Sequence, residues 1–424
     1  MKITINTFGT RGDVQPYIAL GKGLQQVGHE VCVVSHQIFE SFVKEHGLDF
    51  YPIDLDPREV LVNQAVAELG NNMLRIMRWM EKNFKLALEE IFKVTLDANR
   101  DADLMLNSGL SFAGWHVAEK LELPAIATYL WPAIPSRYIP PLMGKKSPSW
   151  QPLKGLSNYW STKISNQTFF NLLLSSVNEC RRDILDLPAL SKKFYWKIDS
   201  PRGATPFVYG YSPLVIPKPV DWGDNQQVAG YWFLDAAEDY QPDDALRDFL
   251  ASGPPPIYVG FGSMIDHERE EAVQIVADAL QMIGQRGIML SDWSGFDSAD
   301  LPDSILKVES VPHEWLFPQM AAVVHHGGAG TTAAGLRAGV PSVIVPSFGD
   351  QFFWGNRIHE MGVGSQPIPR KKLTAEKLAK ALQQVIENQT IRENAKRIVE
   401  EIRAENGVEK AVQMIETYAR DGHF

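Results

Sequence analysis

Short apolar runs of strand length, each followed by a helix-length segment, recur along this chain, pause at a proline-rich stretch and then begin again. In the first series strands are expected at Lys2–Phe8, Glu30–Ser35, Asp49–Ile53, Asp103–Asn107 and Ala125–Leu130, with helices at Pro16–Val27, Ile38–His46 and Trp115–Leu121. In the second, strands are expected at Pro256–Phe261, Gly287–Ser291, Ile305–Val308, Ala321–His325 and Ser342–Val345. Helices are expected there at Glu268–Gln285, Thr331–Ala338, Phe353–Met361, Thr374–Asn388 and Ile391–Tyr418. Strands alternating with helices make parallel, doubly wound α/β sheets. A length of 424 residues exceeds one ordinary core, so two such domains are expected. The reading is a Rossmann-like domain over 1–215, a linker over 216–225, a second Rossmann-like domain over 226–400, and a terminal helix over 401–424 packing back on the first domain. Ligands of open α/β sheets bind beyond the carboxyl ends of the strands, which directs attention to the turns that follow them.

Charge narrows the partners. Lys and Arg number 41 against 51 Asp and Glu, a net charge of −10, which argues against nucleic acid as a partner. It does not exclude an anionic ligand held by a helix N-terminus. The chain opens on a strand without a basic-then-apolar leader, and no apolar run approaches the ~18 residues of a membrane span. A cytoplasmic location is therefore expected, with contact at a membrane surface left open. Cys32 and Cys180 read as buried thiols. Residues 131–175, with prolines at 132, 135, 140, 141, 148 and 152 and frequent aromatics, read as an irregular loop region, either lining a binding site or merely structural. Met73, Met77 and Met80, with Trp79, suggest an amphipathic helix between about 60 and 96, its face mostly core, with part left open to line an apolar acceptor groove or touch a membrane.

The most informative segment is His325-His326-Gly327-Gly328-Ala329-Gly330-Thr331-Thr332, between an apolar strand and a helix. Its glycines let backbone approach a bulky anion, and helix N–H groups then face phosphates. It lacks the Gly-Lys-Ser/Thr ending of a P-loop and the spacing of a dinucleotide fingerprint. Downstream, Asp350 and Gln351 pair a carboxylate with a carboxamide, which suits sugar hydroxyls; a helix cap is the plainer reading. Val311-Pro312-His313 supplies a loop for a base, and Gly262-Ser263 follows a strand where N–H and hydroxyl groups can meet a diphosphate. In the first half, Gly9-Thr10-Arg11-Gly12-Asp13 makes the first strand-to-helix turn. Asp13 is either a first-turn carboxylate that stabilises the helix or a general base for a hydroxyl.

The run from Val311 to Gln351 resembles the donor-binding signature of family 1 glycosyltransferases, which have the GT-B fold, and most closely that of the sterol and lipid glucosyltransferase branch. The resemblance implies two Rossmann-like domains facing across a cleft. It places His326 on the diphosphate-binding histidine and Gly328, Gly330, Thr331 and Thr332 on the phosphate cradle. Asp350 and Gln351 fall on the sugar-hydroxyl pair, and Val311 and His313 on the uracil-binding loop. Ala334 departs from the plant pattern, which has a ribose-binding glutamate there. The turn from Gly9 to Pro16 resembles the opening of sterol and glycopeptide glycosyltransferases. That implies Asp13 as general base, with Thr10 and Arg11 near the transferred sugar or β-phosphate. The implied reaction is inverting transfer of a hexose, glucose from UDP-glucose, to a hydroxyl of a lipophilic acceptor such as a sterol, triterpenoid or flavonoid. It needs no cofactor, the UDP-sugar being a co-substrate.

His116 and Trp131, beyond the fourth and fifth strands, are candidate acceptor contacts; for His116 a structural role is the alternative. No metal site is expected. Asp101-Ala102-Asp103 leads straight into a strand, and His36, His46 and His116 lack ligand spacing. Two other functions stay open: a UDP-sugar epimerase or hydrolase on a similar scaffold, and a non-catalytic nucleotide-sugar-binding protein.

Overall fold

The computed structural model describes residues 1–55, 87–142, 151–192, 199–200, 203–235, 240–261, 269–290, 301–347 and 349–421. Gly262, Ser263, Met73, Met77, Trp79 and Met80 lie outside the described residues. The chain divides into two units, Met1–Leu234 with Glu405–Phe424, and Asp235–Ala404.

In the first unit, strands β1 (Lys2–Asn6), β2 (Glu30–His36), β3 (Asp49–Ile53), β4 (Leu104–Asn107), β5 (Ala125–Tyr129), β6 (Phe207–Tyr209) and β7 (Gln226–Val228) form one sheet in the order β3-β2-β1-β4-β5-β6-β7. All its pairings are parallel. Helices α1 (Arg11–Gln26), α2 (Glu40–Glu45), α3 (Gly114–Leu121) and α4 (Gln151–Asp183) connect them. One face buries Ile3, Ile5, Val33 and Leu106 against Tyr17, Ile18 and Leu24 of α1. The other buries Met105 and Ala125 against Val117, Leu173 and Val177. Each such aliphatic side chain contributes about 1.5–3 kcal/mol.

Three expectations for the first unit need correction. Helix α1 begins at Arg11 rather than Pro16, because Asp13 closes a cap with Thr10 and starts the helix before the proline. Residues 151–175 are not a loop: α4 runs for 33 residues. The prolines of this region end at Pro152, the second helical position, where an N–H has no intrahelical partner; the next is Pro188. Residues 216–225 are not a bridge between units. They carry buried Ile216 and Trp222, whose ring stacks 4.9 Å from Tyr209, and they lead into β7 of the first sheet.

The second unit has α5 (Asp244–Ala251), β8 (Ile257–Gly260), α6 (Arg269–Met282), β9 (Gly287–Leu290), β10 (Ile305–Val308), α7 (His313–Leu316), β11 (Ala322–His325), α8 (Ala329–Ala338), β12 (Ser342–Ile344), α9 (Gln351–Glu360), α10 (Ala375–Glu387) and α11 (Gln389–Arg403). Its sheet is parallel in the order β10-β9-β8-β11-β12. The helix expected over Ile391–Tyr418 is two helices: Asn406 takes a left-handed φ of 48° after α11, and α12 (Gly407–Asp421) belongs to the first unit, where Val412 and Ile415 join the core.

In the first sheet the strand order reverses between β1 and β4; in the second it reverses between β8 and β11. The turns beyond these strand ends are where such sheets hold ligands. Among the described residues, no helix is long and apolar enough to cross a membrane.

Candidate active site

In the second unit Gly260, at the end of β8, pairs with His325 at the end of β11. The chain then turns through Gly327, with a φ of +93°, and enters α8 at Ala329, two residues earlier than expected. The first turn of α8 therefore contains Gly330 and Thr331, with N–H groups lacking intrahelical partners. Among the described residues, His325 Nε2, His326 Nδ1 and Thr332 Oγ1 are buried without a hydrogen-bond partner. Three such groups at one turn call for a polar ligand, because a buried polar group without a partner costs about 1–3 kcal/mol. His325 faces inward, its Nδ1 accepting from the Gly327 N–H at 3.1 Å. Burial, then His326 and His313, hold its imidazole well below the ordinary range. Burial also lowers His326 to about 4, opposed by a hydrogen bond to the Gly260 backbone, so this ring is neutral near pH 7. The Gly328 backbone sits close against His326 Nε2.

The Asp350–Gln351 pair is brought against this turn. A Cβ on Gly327 would stand 2.9 Å from the Gln351 carbonyl oxygen. Gln351 is buried, and its Oε1 accepts from the Ser347 N–H at 2.8 Å. Asp350 is at the N-cap position of α9 and accepts from Trp354 Nε1 at 2.9 Å, which fixes the plane of its carboxylate. Burial pushes this carboxyl above the usual range, with the Trp354 bond opposing. His313 opens α7; its Nε2 lies 3.2 Å from the Tyr258 hydroxyl and its ring stacks at 4.3 Å on Phe317. Val311 and Ala334 pack against the core cluster that holds Tyr258, Val323 and Phe317, so Ala334 occupies a core-facing position.

The first unit has a matching turn beyond β1. Gly9, with a φ of +123°, donates its N–H to His36 Nε2 at 3.1 Å. His36 Nδ1 lies 2.6 Å from the Leu55 carbonyl and must donate to it, which leaves Nε2 as the acceptor. Asp13 Oδ2 accepts from the Thr10 N–H at 2.8 Å and the Thr10 hydroxyl at 3.0 Å. The capping reading of Asp13 holds in this geometry, and the carboxylate stands half-exposed at the sheet's switch point. Arg11 lies 4.6 Å over the Phe42 ring, with Nε donating to Gln15 Oε1 at 3.2 Å.

The two candidate acceptor residues part company. Trp131, half-buried, covers Gly109 in the turn after β4, and Leu110 of that turn reaches Gly9. It thus shares the strand-end region with Asp13. His116 lies within α3, stacked on Phe92 at 5.6 Å, with Nδ1 facing Arg181 at 3.1 Å. Arg181 also clamps Glu119 at 2.7 and 3.1 Å. Burial, then the Arg181 charge, lower His116 to about 3. A histidine so engaged serves the core. Asp103 Oδ2 accepts from the Lys2 N–H at 2.7 Å and ties two strand starts together. Among the described residues no cluster of three His, Cys, Asp or Glu could hold a metal ion. Sequence reasoning missed His36 and Trp354 as supports of the two turns. The Trp354 signal was its place one helical turn after Asp350; for His36 only its position at a strand end was visible.

Two parallel doubly wound units, each with a glycine-containing turn at its switch point, define the GT-B class. The calicheamicin glycosyltransferase CalG4 has the same fold, with a TM-score of 0.69 over 99% of this chain and 98% of that one, at 17% identity. Residues 3–140 match the glycosyltransferase family 28 N-terminal domain, and residues 274–417 match the erythromycin biosynthesis protein CIII-like C-terminal domain. The sterol 3-beta-glucosyltransferase of Pichia angusta is 36% identical over 98% of this chain and 33% of its own length. The sterol 3-beta-glucosyltransferase UGT80B1 of Arabidopsis thaliana is 34% identical over 97% of this chain and 67% of its own length. The chain belongs to the sterol glucosyltransferase family, and it spans about a third of the fungal relative and two thirds of the plant one.

Proposed function

We propose that this protein transfers glucose from UDP-glucose to the hydroxyl of a sterol-like lipophilic acceptor, with inversion at the anomeric carbon. The observation that carries the reading is the cluster of buried, unpartnered polar groups on the His325–Thr332 turn, packed against Asp350 and Gln351, in a chain 34% identical to a sterol 3-beta-glucosyltransferase. Asp13 removes the acceptor proton as the hydroxyl oxygen bonds to the anomeric carbon. The bond from that carbon to the diphosphate breaks, and UDP leaves. The N–H groups of the first turn of α8, the Thr331 and Thr332 hydroxyls and the His326 imidazole meet the charge that develops on UDP. Held neutral by burial, with its N–H engaged at the Gly260 backbone, His326 gains a proton more readily at Nδ1 once the diphosphate is beside it. Asp350, oriented by Trp354, and Gln351, anchored by Ser347, receive the sugar hydroxyls. Val311 and His313 border the base, and the place of Gly262 and Ser263 in the sequence, just after β8, makes them candidates for the diphosphate. No cofactor enters this scheme. Because the acceptor is lipophilic, the protein meets it at a membrane surface.

The test is UDP release from UDP-glucose with and without sterols, comparing the native chain with Asp13→Asn, and NMR of the product for its anomeric configuration. Acceptor-dependent release giving a β-glucoside, lost in the variant, is the expected result. Equal release without acceptor would favour the epimerase or hydrolase, and UDP binding without turnover would favour the binding protein.

A further inference from the structure

The N-terminal half of α4 carries an apolar stripe that no described residue covers. Leu153, Leu156, Trp160 and Ile164 are 48, 47, 51 and 58% exposed. Their spacing of three, four and four residues sets them on one side of the helix. The opposite side is seated on the loop after β5: Asn158 Nδ2 donates to the Arg137 carbonyl at 3.0 Å and Asn166 Nδ2 to the Ala133 carbonyl at 2.9 Å. The stripe thus faces away from its support. Beside it on that loop Tyr138 is 63% exposed.

In the sequence, the segment that carries this stripe has charge of one sign. No Asp or Glu occurs between Glu122 and Glu179, whereas Arg137, Lys145, Lys146, Lys154 and Lys163 do, in a chain of net charge −10. Lys163 Nζ lies 5.0 Å over the Trp160 ring and 5.5 Å over Tyr159. Asp221, which reaches the loop from elsewhere, is engaged by the Ser136 hydroxyl and the Arg137 N–H, each at 2.8 Å. Exposed aromatic and aliphatic side chains flanked by more cations than carboxylates match the boundary between anionic headgroups and acyl chains. A second copy of this chain would set cation against cation, which disfavours self-association through this face.

We propose that this face of α4, with Tyr138, docks the protein on an anionic lipid bilayer. The loop it rests on begins at Trp131, which covers the turn after β4 and shares the strand-end region with Asp13. A lipophilic molecule leaving the bilayer at this face would therefore arrive beside that turn. The inference goes beyond the transferase reading, and its test is separate: vesicle binding can fail while transfer succeeds.

The experiment is co-sedimentation of the full chain with vesicles of phosphatidylcholine alone or mixed with phosphatidylglycerol, at low and high salt. Binding to the mixed vesicles, weak binding to phosphatidylcholine and release by salt are expected. Trp160→Ser with Ile164→Ser should weaken binding about ten-fold or more. Lys154→Gln and Lys163→Gln should each weaken it about five-fold. These side chains are exposed or at the surface, so circular dichroism should stay native, as should transfer to acceptor dispersed in detergent. The proposal is overturned if the native chain stays in the supernatant with mixed vesicles, or if the serine variant sediments like the native chain. A concentration-dependent dimer abolished by the serine variant, without vesicle binding, would overturn it in favour of self-association.

Discussion

Gly327→Ala separates local backbone strain from the close approach that joins the two donor-side motifs. Two costs add at this position. The φ of +93° is disfavoured for any residue with a Cβ, at about 1–2 kcal/mol. The new Cβ would also stand 2.7 Å from Ile344 Cγ2 and 2.9 Å from the Gln351 carbonyl oxygen. A methyl can shift, but the Gln351 backbone begins α9 and is fixed by it, so the turn must move instead. Overpacking of this kind costs about 1–3 kcal/mol, which brings the total to about 2–5 kcal/mol. Gly284→Ala is the control in the same unit: its φ of +61° is left-handed too, but nothing lies within 4 Å of the added Cβ. Only the local cost, about 1–2 kcal/mol, applies there. Thermal unfolding should therefore show a Tm lower for Gly327→Ala than for Gly284→Ala, by about 2–4 °C for each kcal/mol of difference. Saturating UDP should raise the Tm of the native chain and of Gly284→Ala, and raise that of Gly327→Ala far less. Equal Tm losses in the two variants, with equal UDP shifts, would refute the argument that the turn must press against Gln351.

Asp13→Asn keeps an oxygen to accept from Thr10 but removes the base, so kcat should fall about 100-fold or more with little change in Tm, read by UDP release and calorimetry. Asp350→Asn should raise the KM for UDP-glucose while leaving UDP affinity by titration calorimetry nearly unchanged, because the assigned contact is to the sugar. Arg181→Met leaves Glu119 without its clamp and His116 without its neighbour; Tm should drop by the equivalent of about 2–4 kcal/mol while the acceptor KM stays native. Acid should weaken the fold in a defined window. Burial holds His326 at about 4, against 6.5 in an unfolded chain, so the unfolded state binds more protons between those values. Stability then falls as pH drops from 6.5 toward 4, by at most about 3 kcal/mol from this group, and denaturant midpoints across that range would show it.

Much of the fold was legible because parallel α/β sheets leave a strong trace. Their strands are buried on both faces and read as short apolar runs, and the helices between them carry glycine and proline at their ends. The failures have common causes. Proline density suggested a loop over 131–175, but a proline in the first turn of α4 costs its helix nothing. The prolines near 217 suggested a linker, but β7 returns to the first sheet after them, a pairing between distant residues that no local pattern encodes. The break at Asn406 went unread because its flanks share one helical periodicity.

The residue types of both turns were settled by the sequence alone: a glycine-rich bend with histidines and threonines, an aspartate beside a glutamine, and a carboxylate after Gly9. Those choices are local, since they depend on backbone freedom and hydrogen-bonding groups within a few residues. Tertiary structure decided which of them meet. It brought Gly327 against Gln351, turned His313 onto Phe317, placed Ala334 in the core, tied His116 to Arg181, and left the Trp160 stripe of α4 uncovered among the described residues. Each outcome depends on packing between segments far apart in the chain, where a few tenths of an ångström and the burial of a charge settle the result.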